Sequence, residues 1–573
     1  MDGPGLADRS PVAVRAGRRP AAVLAVVLLA ASALILWAGR GITLIGDEWS
    51  WVTTGTQVTA GALLDEYNGH LNALTEATYI VLPRTAGLAD YAAYRVVALV
   101  LHLVVALLVY ALARPRVGAW PAVAAAGLIA VLGTGADAFL HAIEVGILGA
   151  SAACLAALWN LDRGTRRNDL AACGLLIAGL ASFSSAVAFT AGVWAEVLAR
   201  PDRRRRIWVP AVPTALYLAW RLHWGGSLSG ESNGSSGGVL HVIAHAWEAA
   251  SGAVGGLAGL QIFSPTLRAH VPWAGGLTQV LSGVAAVLLA WVVVRRGRLT
   301  PRLANLVVAA LLLWGLTAVA RGSLGDLAAS RYVYQGAVIV VLIVVEALAG
   351  LSAPRRVMAA AALAVVVSAG LNLAWMVVWG NHLRDESTTA RAQLAALDIA
   401  GPRTPPTFRP SATFALSTIT ARSYFDDVRR FGSSPAYGTA ELRRAPEPTR
   451  EAADGVLARA TGLRVTPGRA PATGSPPEIE GPPFGRVVQR GSCLAMDRGV
   501  VGLRAQGRRS LLLRAEPGGA LLVRARRFGT AYAVGAGGVG EGSATLTTSH
   551  DPGPGAWHVQ VISTGPARVC SIG

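Results

Sequence analysis

Long apolar windows fill the first 380 residues and decide what the chain can fold into. A helix rises about 1.5 Å per residue, so 17 to 25 apolar residues match a bilayer core of about 30 Å, where each backbone group must be satisfied within its own segment. Eleven windows occur, at roughly 20–38, 92–113, 118–135, 143–160, 169–182, 185–199, 207–223, 274–294, 303–320, 332–350 and 357–379. The fifth and sixth are short and fit either two spans or a re-entrant pair. Composition agrees with this reading. The chain is 53% hydrophobic and 15% charged, whereas an average soluble domain is about a quarter charged, and a purely soluble fold is excluded. Ala38-Gly39-Arg40-Gly41-Ile42 follows the first window in place of a small-x-small cleavage site, so that window is expected to be a retained helix.

Charge placement orients the spans, because short cytoplasmic loops retain Arg and Lys. One set of connections carries Arg9, Arg15, Arg18, Arg19, Arg114, Arg116, Arg163, Arg166, Arg167, Arg200, Arg203 to Arg206, Arg295, Arg296, Arg298, Arg302, Arg355 and Arg356. The alternate set carries Asp47, Glu48, Asp65, Glu66, Glu76, Asp90, Asp137, Glu144, Glu231, Glu248 and Asp326. With an odd number of spans, residues 1–19 are expected in the cytoplasm and everything after Trp379 outside the plasma membrane. Every basic residue is Arg, and the net charge is +18. A uniform choice of Arg reads as coding bias, and no nucleic-acid partner is expected.

The tail changes character. Residues 387–400 read as a short helix, and 381–485 as a linker with irregular, Pro-rich stretches. Residues 486–573 hold short β-type runs separated by Gly, Asp and Pro, a spacing that predicts a small β-sandwich. Cys493 and Cys570 bracket it, and a disulfide between them is expected in an oxidising exterior. The fold class expected is therefore an α-helical polytopic membrane protein of about eleven transmembrane helices (20–380) with a C-terminal extracytoplasmic β-sandwich.

The chemistry-bearing residues lie in the acidic connections. The first, residues 39–91, opens with Gly46-Asp47-Glu48-Trp49-Ser50-Trp51. Adjacent residues cannot share one face, being about 100° apart on a helix, so one carboxylate is expected to face a site while the other orients it. Trp49 and Trp51 alone read as an interfacial belt. His70 follows, then Gly87-Leu-Ala-Asp-Tyr91-Ala-Ala-Tyr-Arg95 entering the second span. The next acidic turn places Asp137, His141 and Glu144 at i, i+4 and i+7, one face of a helix. The tenth span opens with Ser330-Arg331-Tyr332, and an Arg at the membrane surface can hold a phosphate through paired hydrogen bonds. After the Gly/Ser-rich stretch 225–238, His241, His245 and Glu248 have a spacing that can ligate a metal, though the same stretch suits an interfacial helix.

The order of these pieces, an acidic pair after the first span, a later His, and a Gly-aromatic-Arg entry into the second span, resembles the first extracytoplasmic loop of GT-C glycosyltransferases. That superfamily includes the protein O-mannosyltransferases, aminoarabinose transferases and arabinosyltransferases. His70 is followed by Leu71-Asn72, where two of those subfamilies carry Pro-Pro. The resemblance implies an inverting enzyme that transfers a sugar from a polyprenyl-phosphate donor to a hydroxyl of a cell-envelope glycan, lipid or protein. It implies Asp47 and Glu48 as catalytic groups, and His70, Arg95, Asp137, His141, Glu144, Arg331 and Tyr332 as substrate-binding groups. It also allows a divalent cation, and a carbohydrate-binding role for the β-domain. Membrane lipids would surround it. A second class stays open, a non-enzymatic transporter or envelope scaffold with a degenerate site. A transporter should place ionisable residues in mid-span, and His102 is the main exception to spans that otherwise avoid them.

Overall fold

The structure, a computed structural model, describes residues 11–55, 59, 61–225, 238–261, 272–296, 299–321, 329–351, 353–411, 413–468, 471–473, 475–505, 510–551, 553 and 555–572. Arg9, Arg298, Glu231, Asp326 and most of the stretch 225–238 lie outside these residues. The chain forms two compact units, one of residues 1–40, 55–82 and 92–383, the other of residues 41–54, 83–91 and 384–573.

The first unit is helical. Among the described residues seven helices are long and apolar enough to cross a membrane: Arg19–Ala38, Ala92–Val117, Ala142–Leu161, Trp273–Arg295, Pro301–Ala320, Ser330–Leu348 and the apolar part of Arg355–Ala400. The other four apolar windows also fold as helices, but shorter ones: Ala119–Ala130, Arg166–Ser182, Ala186–Leu198 and Trp208–His223. Windows five and six are joined by a turn that holds Ser184 and Ser185, and Ser185 accepts from Gln335 at 2.8 Å.

Polar groups concentrate in two layers of this unit. At one layer Arg302 bonds Asp162 at 2.8 Å and pairs with Glu196 at 3.0 Å, Arg116 bonds Asp162 at 3.0 Å and Glu346 at 2.5 Å, and Asn305 donates to Glu196 at 2.7 Å. Glu196 is fully buried there. Asp169 likewise accepts from Arg206 at 3.0 Å, so the acids Asp162, Asp169, Glu196 and Glu346 sit among the arginines and the separation of signs expected from the loops is incomplete. Burying a guanidinium requires a partner, and these acids supply it. The opposite layer holds Asp137, Glu144 and Arg331. The helix Val145–Leu161 runs from one layer to the other, and 17 residues span about 25 Å, close to the hydrocarbon thickness of a bilayer.

His102, the mid-span exception, is a satisfied core residue. Its Nδ1 lies 2.9 Å from the Tyr334 hydroxyl and its Nε2 3.2 Å from the Ala130 carbonyl. Its ring stacks on Phe139 at 4.2 Å. Close packing has a local signature at Gly133, where a Cβ would stand 1.7 Å from the Asn372 carbonyl oxygen. Asn372 is buried and its Oδ1 accepts from the Thr134 amide at 3.1 Å, while its Nδ2 donates to the Gly256 carbonyl.

In the tail the short helix expected over 387–400 is the end of one uninterrupted helix, Arg355–Ala400. The span 401–485 is also more ordered than its prolines suggest, with helices Ala421–Phe431, Thr439–Arg444 and Glu447–Thr461. Proline marks the boundary of the last of these, where Pro446 is the N-cap. Ala421–Phe431 starts at a Thr420–Ser423 capping box and stops at Gly432 in the left-handed region, the start and stop chemistry that defines a helix.

Two antiparallel sheets follow. The six-stranded sheet has the order β3-β11-β8-β13-β6-β5, and the five-stranded sheet β10-β9-β12-β7-β4. The strands are β3 Arg464–Pro467, β4 Glu478–Ile479, β5 Val487–Arg490, β6 Cys493–Met496, β7 Gly499–Ala505, β8 Ser510–Ala515, β9 Leu521–Arg526, β10 Val534–Val539, β11 Gly542–Thr547, β12 Trp557–Ser563 and β13 Ala567–Ile572; β1 and β2 are the two-residue pair Glu66–Tyr67 and His70–Leu71. Alternate residues point inward, so Leu503, Val523, Val559 and Val561 of one sheet and Leu494, Leu513, Leu546 and Val569 of the other share one core. The sheets begin before residue 486, at β3 and β4. Cys493 and Cys570 form a disulfide directly across the β6–β13 register, and closing a loop of 77 residues contributes on the order of 4 kcal/mol in the chain-entropy account.

Candidate functional site

In the second unit the acidic pair sits on a turn that only glycine can begin. Gly46 has φ +61, and a Cβ there would meet the Phe414 ring at 2.4 Å. Its amide donates to the Ala415 carbonyl at 2.9 Å. The helix Glu48–Thr54 starts immediately after. Glu48 is fully buried, and its carboxylate accepts from the Ile45 amide at 2.9 Å and from the Tyr91 hydroxyl at 2.5 Å. Asp47 is half-buried, and its carboxylate has no hydrogen-bond or ion-pair partner among the described residues. The two neighbours therefore divide as their 100° separation requires, with Glu48 holding the turn and Asp47 available. Trp49 and Trp51 are buried rather than interfacial, and Trp49 packs edge-on against Tyr424 at 6.0 Å. An indole with its N–H bonded to the Leu44 carbonyl at 3.1 Å is a core residue of this segment.

In the first unit Asp137, His141, Glu144 and Arg331 come together. The single helical face expected for the first three is absent, because the helix Asp137–Leu140 stops at His141, which is extended (φ −104, ψ 113), and a 3-10 turn, Ala142–Glu144, takes over. The side chains converge all the same. His141 Nδ1 lies 3.6 Å from Asp137 Oδ1, and Arg331 Nη1 lies 3.8 Å from Asp137 Oδ2 and 3.6 Å from Glu144 Oε1. Asp137, His141 and Glu144 are buried, while the Arg331 side chain keeps 32% of its surface exposed. Ser330 accepts from the Asp137 amide at 3.1 Å, which fixes the start of one helix against the other. Burial alone would push the Asp137 carboxyl up. The His141 hydrogen bond and the charges of His141, Arg331 and His382 outweigh it and hold the group below the ordinary carboxylate range. Arg331 also lies 5.3 Å from the centre of the Tyr332 ring.

The remaining expected residues of this unit meet other partners. His70 contacts Ser184 Oγ at 2.5 Å and the Phe183 ring at 4.6 Å, so it sits on the turn of the Arg166–Ser182 and Ala186–Leu198 pair. Arg95 donates to the Leu36 carbonyl at 3.2 Å, a clasp between the first two spans. His241 and His245 meet edge to face with ring centres 3.8 Å apart, but Glu248 is exposed. Among the described residues no group of three His, Cys, Asp or Glu stands together to hold a metal ion.

One residue was not singled out by its sequence neighbours. Glu76, buried on the helix Ala73–Thr85, has its carboxyl pushed up to about 7 by burial and by the charge of Asp65. A carboxyl that titrates near neutrality is a candidate acid–base group. Only the charge itself was legible, since the neighbour that its own helix meets at Thr75 is Gly146, a contact with no local signature. No family model, curated protein or solved structure matches the chain.

Proposed function

We propose that the chain is an integral membrane glycosyltransferase of the GT-C kind, which moves a sugar from a polyprenyl-phosphate donor to a hydroxyl of a cell-envelope glycan, lipid or protein on the extracytoplasmic side. The observation that supports it best is the buried Asp137–His141–Glu144 group facing the partly exposed Arg331, at the layer opposite the paired arginines. Two carboxylates and a guanidinium held at one edge of an apolar bundle are costly unless used. The Arg331 side chain keeps 32% of its surface exposed, so a phosphate can reach its guanidinium with Tyr332 alongside.

In the reaction the acceptor oxygen attacks the anomeric carbon, the carbon–oxygen bond to phosphate breaks, and polyprenyl phosphate leaves with the electron pair. The acceptor proton passes to a carboxylate. Asp47 is assigned that role because its carboxylate is available while Glu48 is committed to Ile45 and Tyr91. A carboxylate suffices where proton transfer lags behind an oxocarbenium-like transition state.

The purified chain with polyprenyl-phosphate sugars tests this. Asp47→Asn should cost about 10² to 10⁴ in turnover with donor binding retained, and Arg331→Gln should weaken donor binding first. An Asp47→Asn protein of full activity removes Asp47 from the chemistry. A wild-type chain that turns over no lipid-linked sugar gives way to the transporter or scaffold reading.

A further inference from the structure

A cleft of about 630 Å³ lies in the second unit. Arg409, Arg459, Gln393 and Ser417 line its polar side, and Ala452 and Val456 form an apolar floor. The two arginines are exposed and come from separate segments, the loop after the helix Arg355–Ala400 and the helix Glu447–Thr461. Each is anchored by one backbone carbonyl, Arg409 on Ser417 and Arg459 on Pro410, both at 2.7 Å. Neither has a carboxylate partner among the described residues. Two guanidiniums without an acid thus line one cleft, and an anion between them is attracted by both.

Gln393 adds a second requirement. It is 8% exposed, and its Oε1 is buried without a hydrogen-bond partner among the described residues. A buried amide end left unmade costs free energy. The two ends of a Gln amide are assigned from their partners, so the missing partner must serve either one, as a hydroxyl does by donating and accepting. The cleft therefore asks for negative charge and a hydroxyl on one ligand, over a floor suited to C–H groups. Its volume lies within the range of small-molecule sites.

We propose that this cleft binds an acidic sugar, one bearing a carboxylate or a phosphate on a polyhydroxylated ring. The guanidiniums take the anion, Gln393 takes a ring hydroxyl, and Ala452 and Val456 meet the ring face. This site is independent of whether the membrane unit transfers sugar, and its test reads binding rather than turnover.

Titration calorimetry on the full-length chain in detergent, with glucuronate, glucose 6-phosphate, glucose and inorganic phosphate as probes, decides the matter. Glucuronate or glucose 6-phosphate should bind, glucose should bind at least tenfold more weakly, and so should inorganic phosphate. The Arg409→Gln/Arg459→Gln double variant should lose at least tenfold in affinity for the acidic sugars. Gln393→Leu should weaken them without affecting inorganic phosphate. Arg459→Lys, which keeps the charge, should retain measurable binding and so guards against a folding defect in the double variant. Equal binding of glucose and glucuronate, equal binding of inorganic phosphate and glucose 6-phosphate, or no binding of any probe would overturn the proposal.

Discussion

At the scale of single residues, adjacent carboxylates take different work from different surroundings. Asp47 and Glu48 are indistinguishable in charge, and only the fold shows that Tyr91 and the Ile45 amide claim Glu48. The sequence made legible that the two would diverge, because that follows from backbone geometry. Which one stays available depends on a tyrosine 43 positions away, and spacing cannot report that. Asp427 offers a test of how burial acts on one carboxyl. It is 2% exposed, accepts from Thr53 at 2.8 Å, and burial raises its carboxyl to about 6 against the pull of that bond and of Arg430. The folded state then holds the proton more tightly than the unfolded chain, whose value is near 3.9. Its contribution is fully present below about pH 4 and is lost as pH rises through 6. Asp427→Asn keeps an acceptor for Thr53 and removes the titration. The variant should match wild type in melting temperature near pH 4 and exceed it above pH 7. Parallel melting curves across that range would show that Asp427 is not desolvated.

At the scale of elements, each of the eleven apolar windows folds as a helix, but the windows missed the helices Ala73–Thr85 and Val239–Leu257 and could not show where polar side chains would close on one another. The turn 137–144 shows the limit. Spacing put three groups on one helical face, whereas a break at His141 and the start of Ser330–Leu348 bring them together instead. The pairing of Glu196 with Arg302 was likewise hidden, because it joins helices more than a hundred residues apart. That pair makes a sharp prediction. Glu196 is fully buried and Arg302 nearly so, so removing Arg302 leaves the buried carboxylate to Arg200 and Asn305 alone. Arg302→Met should cost about 3 to 5 kcal/mol in unfolding free energy measured in detergent, and adding Glu196→Met should recover most of it. A double variant no better than the single one would mean that the remaining partners, Arg200 and Asn305, carry the stabilisation.

At the scale of the whole chain, the spacing of the two polar layers bears on sidedness. Arg116, Arg302 and Glu346 mark one layer, while Asp137 and Arg331 mark the other. The helix Arg355–Ala400 begins near the first, where the Gly350 amide meets the Arg116 carbonyl. Within the first unit it reaches Gly380, whose Cβ position lies 2.5 Å from the Ala38 carbonyl oxygen at the end of the first span. If the Arg-rich layer faces the cytoplasm, as loop arginines generally dictate, the chain after Leu383 emerges outside. A single exposed cysteine tests this. Ser387 is unsuitable, being fully buried and bonded to the Thr43 amide at 3.1 Å, but Ser475 is exposed. The native cysteines do not interfere, since Cys154 and Cys173 are buried and Cys493 is joined to Cys570. Ser475→Cys should react with a membrane-impermeant maleimide in intact cells as fully as after permeabilisation. Labelling only after permeabilisation would place the two sheets in the cytoplasm, and the acidic layer with its proposed lipid-linked donor would then face the wrong side.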